Sequence, residues 1–158
     1  MKLSVRRTVR AGWLPPAREL RGWAAAAAGR RAAGSEISVL LAGRERSRAL
    51  NARYRGRDHA TNVLSFPVEA GAAAASGLIG ELVICPAVLR AEARAQCKSA
   101  RAHWAHMVVH GVLHLLGYDH EHPREAARME RREIRTLRRL GIANPYRPVA
   151  ARPRRPEL

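Results

Sequence analysis

In the stretch HGVLHLLGYDH, residues 110–120, three histidines are spaced for one shared task. His110 and His114 lie four residues apart, one helical turn, so both imidazoles can reach a single cation. Gly117 is free to adopt a positive φ and end the helix, after which the chain turns back through His120. Three neutral imidazoles with an open fourth position form the donor set of a catalytic zinc rather than a structural one. A metal held this way lowers the pKa of a water molecule towards ~7 and supplies hydroxide near neutral pH. On affinity grounds the same nitrogens accept nickel or cobalt as readily as zinc.

The spacing, H-x3-H-x5-H with a glycine three residues before the last histidine, matches the ligand geometry of zinc proteases with the motif H-E-x-x-H-x-x-G-x-x-H. The second position of that motif is the glutamate that serves as general base. Here it is Gly111, which cannot transfer a proton. His103 and His106 lie on the same helical face as His110 and His114, these four spanning roughly 80° at about 100° per residue. These two are read as groups supporting the metal ligands from behind, as substrate contacts or as ordinary helix residues, the last two favoured equally. Asp119, beside His120, is read either as an acceptor for an imidazole N–H or as a turn residue. Glu121 and His122 are read as the start of the next helix.

A second unusual stretch is LNARYRGRDHATNVLSFP, residues 50–67. Arg55, between Tyr54 and Gly56 and just ahead of a strand, could clamp a phosphate bidentately. On spacing alone it is indistinguishable from any other arginine of this arginine-rich chain.

The elements that must hold these residues follow from periodicity. KLSVRRTV, SEISVLLA, NVLSFPVE and LIGELVICP read as strands, the third interrupted by Pro67. PPARELRGWAAAAAGRRAAG reads as a helix that starts near Pro16 and ends at Gly34, and GRERSRALNARYRG as a helix closed by Gly56. AGAAAASG is expected to be a loop. From Pro86 to Tyr118 two helices are predicted, with a break near CKSA where Ser99 caps the second. The last helix, EHPREAARMERREIRTLRRLG, has Met129, Ile134, Leu137 and Leu140 as its inner stripe and stops at Gly141. Strands come mostly first and the histidine helices afterwards, which predicts an α+β domain with helices packed on a mixed sheet.

Composition narrows the class of partner. The chain has 158 residues, 47% hydrophobic, enough for one domain with a real core. No run of eighteen apolar residues occurs, so no membrane span and no membrane partner are expected. The charged N-terminus MKLSVRRTVR lacks the apolar segment of a signal peptide. Cys85 and Cys97 are expected to be free thiols in a cytoplasmic protein. The formal charge of +16 is spread over the chain and favours a polyanion, RNA or DNA. Aromatics make up only 4%, too few for a surface of stacking platforms.

YRGRDHATNVLSFP upstream, GELVICP, and AHWAHMVVHGVLHLLGYDH downstream together resemble the YbeY family of bacterial rRNA-processing endoribonucleases, over about Leu3 to Tyr146. The resemblance implies a mixed four-stranded sheet with about five helices and a zinc-protease-like core. It implies a zinc-dependent, single-strand-specific endoribonuclease, with one Zn²⁺ per chain, acting in 16S rRNA 3′-end maturation and ribosome quality control. Its partners would be the 16S rRNA precursor and the ribosome or ribosomal proteins. Carried over, the metal ligands are His110, His114 and His120, and catalysis rests on Arg55 and His114. Residues 1–146 would form the single domain, with 147–158 a basic Pro/Arg tail expected to be disordered. The family's Gly-Asp in the fourth strand is Gly80-Glu81 here, a departure that puts any role of that carboxylate in doubt. Two rival functions share these residues: a metallopeptidase-like hydrolase, and a ribosome-assembly factor whose metal only stabilises the fold.

Overall fold

The apolar segments form four strands: β1 (Lys2–Arg7), β2 (Glu36–Leu41), β3 (Val63–Pro67) and β4 (Leu78–Ile84). The computed structural model describes residues 1–10 and 12–148, so the tail from 149 onward lies outside the described residues. The strands lie side by side in the order β1-β2-β4-β3. β1 and β4 run parallel to β2, whereas β3 runs antiparallel to β4, which makes the sheet mixed as expected. β3 is an edge strand, so Pro67 at its end removes no N–H that the sheet requires.

Alternating side chains divide the sheet into two faces. Ile37, Val39, Leu41, Leu82 and Ile84 pack into one core with α1 (Ala17–Ala28) and α5 (Ala100–Leu115). Leu40, Val83 and Leu64 point the other way, against Leu50 of α2 (Arg44–Arg55) and Phe66. α4 (Pro86–Ala95) and α6 (Pro123–Arg139) pack against α5, most of whose residues are buried. This helix begins where expected, the Ser99 hydroxyl accepting the Ala102 N–H at 3.1 Å.

Three expectations are corrected. Residues 70–76 form a short helix, α3 (Ala70–Ser76), rather than a loop, giving six α-helices among the described residues. Alanine carries the best helix propensity, and Gly77 closes the turn at φ 75°. α1 ends at Ala28 rather than at Gly34, because Gly29 already takes φ 68° and a single 3-10 turn follows. α6 starts at Pro123 with His122 just outside it, so Glu121 belongs to the preceding turn.

Two glycines set how closely α5 approaches the sheet. A Cβ on Gly111 would stand 2.9 Å from Leu82 Cδ2 and 3.1 Å from Val63 Cγ2. A Cβ on Gly80 would meet Leu115 Cδ2 at 2.5 Å and the Phe66 carbonyl oxygen at 2.8 Å. The Ser65 hydroxyl crosses this tight seam and donates to the Gly111 carbonyl at 3.0 Å.

Candidate metal centre

The C-terminal turns of α5 present His110 and His114, and the reversal at Gly117 (φ 90°) returns His120 to them. The ring nitrogens of the three converge, with His110 Nε2 3.1 Å from His114 Nε2, and His114 Nε2 3.0 Å from His120 Nδ1. Donor atoms of all three lie within 4.8 Å of one another. Two nitrogens bound tetrahedrally at ~2.0–2.1 Å from zinc stand about 3.3–3.4 Å apart, so a small adjustment separates this arrangement from a metal site. Burial, followed by the neighbouring His110 and His120, pushes His114 down to about 4, so its ring is neutral at pH 7 and its lone pair is available. The trio therefore fits a divalent cation in both geometry and protonation.

Sequence reasoning missed the group behind this trio. Glu133 of α6 is 1% exposed, and its Oε1 accepts from His110 Nδ1 at 2.9 Å. Its other oxygen accepts from His106 Nε2 at 2.6 Å and from the Tyr146 hydroxyl at 2.7 Å. Burial alone would raise this carboxyl, but the hydrogen bonds from His106 and His110 outweigh it and hold it at about 2. A charged Glu133 makes Nδ1 of His110 the protonated nitrogen and leaves Nε2 free to face the trio. His106, His110 and Glu133 also lie close enough to hold an ion, but the hydrogen bonds among them already account for that proximity. A signal existed: Glu133 lies midway between Met129 and Leu137, four residues from each, on the buried face of α6. Tyr146 reaches Glu133 because Lys98 Nζ holds the Pro145 carbonyl at 2.7 Å.

His103 and His106 are 2% and 8% exposed, which places both in the interior. His103 Nε2 lies 3.1 Å from Glu92. Asp119 takes its turn role: its Oδ1 accepts the backbone N–H of His120 at 2.6 Å and of Glu121 at 3.1 Å. Those bonds, the one from Glu121 foremost, hold its carboxyl below the usual range.

Arg55 comes to the trio from the other face of the sheet. A polar cleft of about 640 Å³ is lined by Arg55, Arg57, His114, Asp119, His120 and Glu121. Arg55 is the last residue of α2, which Gly56 ends at φ 66°. The loop after it is tied to the helix by buried side chains. Asn51 Nδ2 donates to the His59 carbonyl at 2.9 Å, and the Ser47 hydroxyl donates to the Thr61 carbonyl and accepts its N–H, at 3.1 and 2.9 Å. Arg48 grips Asp58 with two bonds of 2.7 and 3.0 Å. These ties fix the position of Arg55 and Arg57 at the cleft. At position 111 the Cβ of the protease glutamate would press on the packed side chains of Leu82 and Val63, at 2.9 and 3.1 Å.

Fold and site together define an α+β protein with a mixed sheet, bearing a three-histidine group beside a polar cleft. A family model described as Endoribonuclease YbeY matches residues 18–141, and the chain belongs to the YbeY family. It is 53% identical over 142 residues to Endoribonuclease YbeY of Alkalilimnicola ehrlichii, covering 87% of this chain and 85% of that protein. It is 49% identical over 136 residues to the protein of the same name from Methylococcus capsulatus, covering 86% and 89%. Its fold is similar to the solution structure of TM1509 from Thermotoga maritima, with a TM-score of 0.55 and 22% identity over 88% of this chain and 91% of that one.

Proposed function

We propose that this protein is a metal-dependent endoribonuclease specific for single-stranded RNA, acting in the cytoplasm on the 3′ end of the 16S rRNA precursor and in ribosome quality control. Residues 1–146 would form the catalytic unit, and ribosomal proteins would be among its partners. The observation that carries the reading is the convergence of three imidazole nitrogens at a cleft shared with Arg55. The relatives named as endoribonucleases support it. So does the charge of +16, which suits a polyanionic substrate.

His110, His114 and His120 would hold the metal, zinc by preference for three imidazoles. A zinc ion held there would supply Lewis acidity towards a phosphoryl oxygen and would lower the pKa of a water molecule. Glu133 keeps the His110 ring oriented and its Nδ1 protonated. Arg55, lining the same cleft, neutralises charge developing on the phosphorus oxygens, and Arg57 anchors a neighbouring phosphate. No side chain at position 111 moves a proton, which opposes a peptidase mechanism of the H-E-x-x-H kind.

The test is a single-stranded 16S 3′-end fragment incubated with pure protein, with and without chelator. His114→Ala and Arg55→Ala are assayed beside it. Cleavage is expected to vanish with chelator and with His114→Ala, and to drop by about 10²-fold or more with Arg55→Ala. Cleavage that survives chelator and both substitutions would refute the proposal.

A further inference from the structure

Tyr54 sits next to Arg55 at the end of α2 and is 57% exposed. Most exposed tyrosines in a basic protein carry no function, but the surroundings of this one are unusual. Its ring is braced by Phe66 of the edge strand β3, at a centroid distance of 5.2 Å and an interplanar angle of 70°. The Arg53 guanidinium lies 5.3 Å from its centroid. Arg53, Arg55 and Arg57 are all exposed, and among the described residues none has a carboxylate within ion-pair distance. Arg48, one turn and more away, is by contrast consumed by Asp58. The chain thus holds three guanidiniums without a carboxylate partner, the one of Arg53 lying over the aromatic ring of Tyr54, along five residues. Two of those guanidiniums, from Arg55 and Arg57, line the cleft of the histidine trio.

From this we infer that Tyr54 is the stacking platform for one unpaired base of the RNA, seated next to the phosphate that Arg55 holds. The inference rests on the endoribonuclease reading above and adds to it a positioning residue and a physical basis for preferring single strands. A base stacks on a side chain only if it is not already stacked and paired in a duplex. Stacking is indifferent to base identity, because every base presents a π-face, so Tyr54 would favour single strands without favouring a sequence. The low aromatic content of the chain does not conflict with this, since one ring suffices for one base. Phe66 and Arg53 fix the ring before RNA arrives, which lowers the entropic cost of binding.

The test uses the full-length, metal-loaded protein and the single-stranded 16S fragment. Tyr54→Ala is expected to raise KM about fivefold to a hundredfold with kcat changed far less, and Tyr54→Phe to restore it. Copies of the fragment that each lack one base give the second readout. With the wild type, removing one base near the cut raises KM by a similar factor; with Tyr54→Ala that same substrate is no worse than the intact one. An unchanged KM in Tyr54→Ala, or Tyr54→Phe as poor as Tyr54→Ala, overturns the stacking role and leaves the nuclease standing. A wild-type protein that neither cleaves nor binds the fragment overturns both.

Discussion

Glu133 and His110 come from different helices, α6 and α5, and meet through a hydrogen bond of 2.9 Å between Oε1 and Nδ1. The carboxylate bonds the outer nitrogen of His110 and so determines that Nε2 is the one free to face His114 and His120. Partners of this kind typically contribute 10–100-fold to metal affinity. Glu133→Gln is therefore expected to weaken zinc binding by about that factor, read by titration against a competing chelator. It should also lower the melting temperature, because glutamine offers one acceptor oxygen where Glu133 offers two, so either His110 or the pair His106 and Tyr146 faces an amide donor in the interior.

Stability of the metal-free protein should fall in acid in two stages. His114 is held at about 4 when folded, against 6.5 when free. Between those values the unfolded imidazole is protonated and the folded one is not, so stability is full above pH 6.5 and declines as the pH falls towards 4. Glu133 acts in the same direction lower down, its contribution being lost as the pH drops from 4.5 towards 2. Urea unfolding followed from pH 7 to pH 3 checks this. A stability that rises on acidification through pH 6 would contradict it.

Restoring the protease glutamate should harm the protein without making a peptidase. At Gly111 even a methyl group presses on the buried Leu82 side chain at 2.9 Å. Gly111→Ala is expected to cost about 1–3 kcal/mol, offset in part by the better helix propensity of alanine. Gly111→Glu should cost considerably more and show no cleavage of casein. Thermal unfolding and a casein assay together read both outcomes.

Gly80→Ala should be worse than Gly111→Ala. Its added carbon meets not only Leu115 but the Phe66 carbonyl of the paired strand, at 2.8 Å, and backbone cannot step aside as the end of a side chain can. The comparison of the two melting temperatures decides it.

RNA binding should weaken steeply with salt, and the slope should count arginines. Each phosphate of a single strand that the protein no longer neutralises reduces the log–log slope by about 0.7. Arg55→Ala and Arg57→Ala are each expected to flatten it by about that amount, whereas Tyr54→Ala lowers affinity at every salt concentration with the slope unchanged.

Much of this protein is written locally in its sequence. The helical period alone puts His110 and His114 on one face, Gly117 supplies the turn that returns His120, and Ser99 and Gly56 mark helix ends by their own chemistry. Those features depend on residues within one or two turns of each other, and so can be read without a fold. The motif YRGRDHATNVLSFP singled out Arg55 by likeness, but nothing nearby in the chain places it beside His114. That proximity arises only in the fold, where the end of α2 and the end of α5 line one cleft. The fate of Glu133 was decided in the same way. In the sequence it is one charge in a charged helix; only the packing of α6 on α5 turns it inward to a pair of imidazoles 23 and 27 residues away. Gly111 looked like a missing base and is instead the contact that lets α5 lie against β3 and β4. Local periodicity set the donors, while contacts between distant segments decided their orientation, the groups beside them and the space left for a substrate.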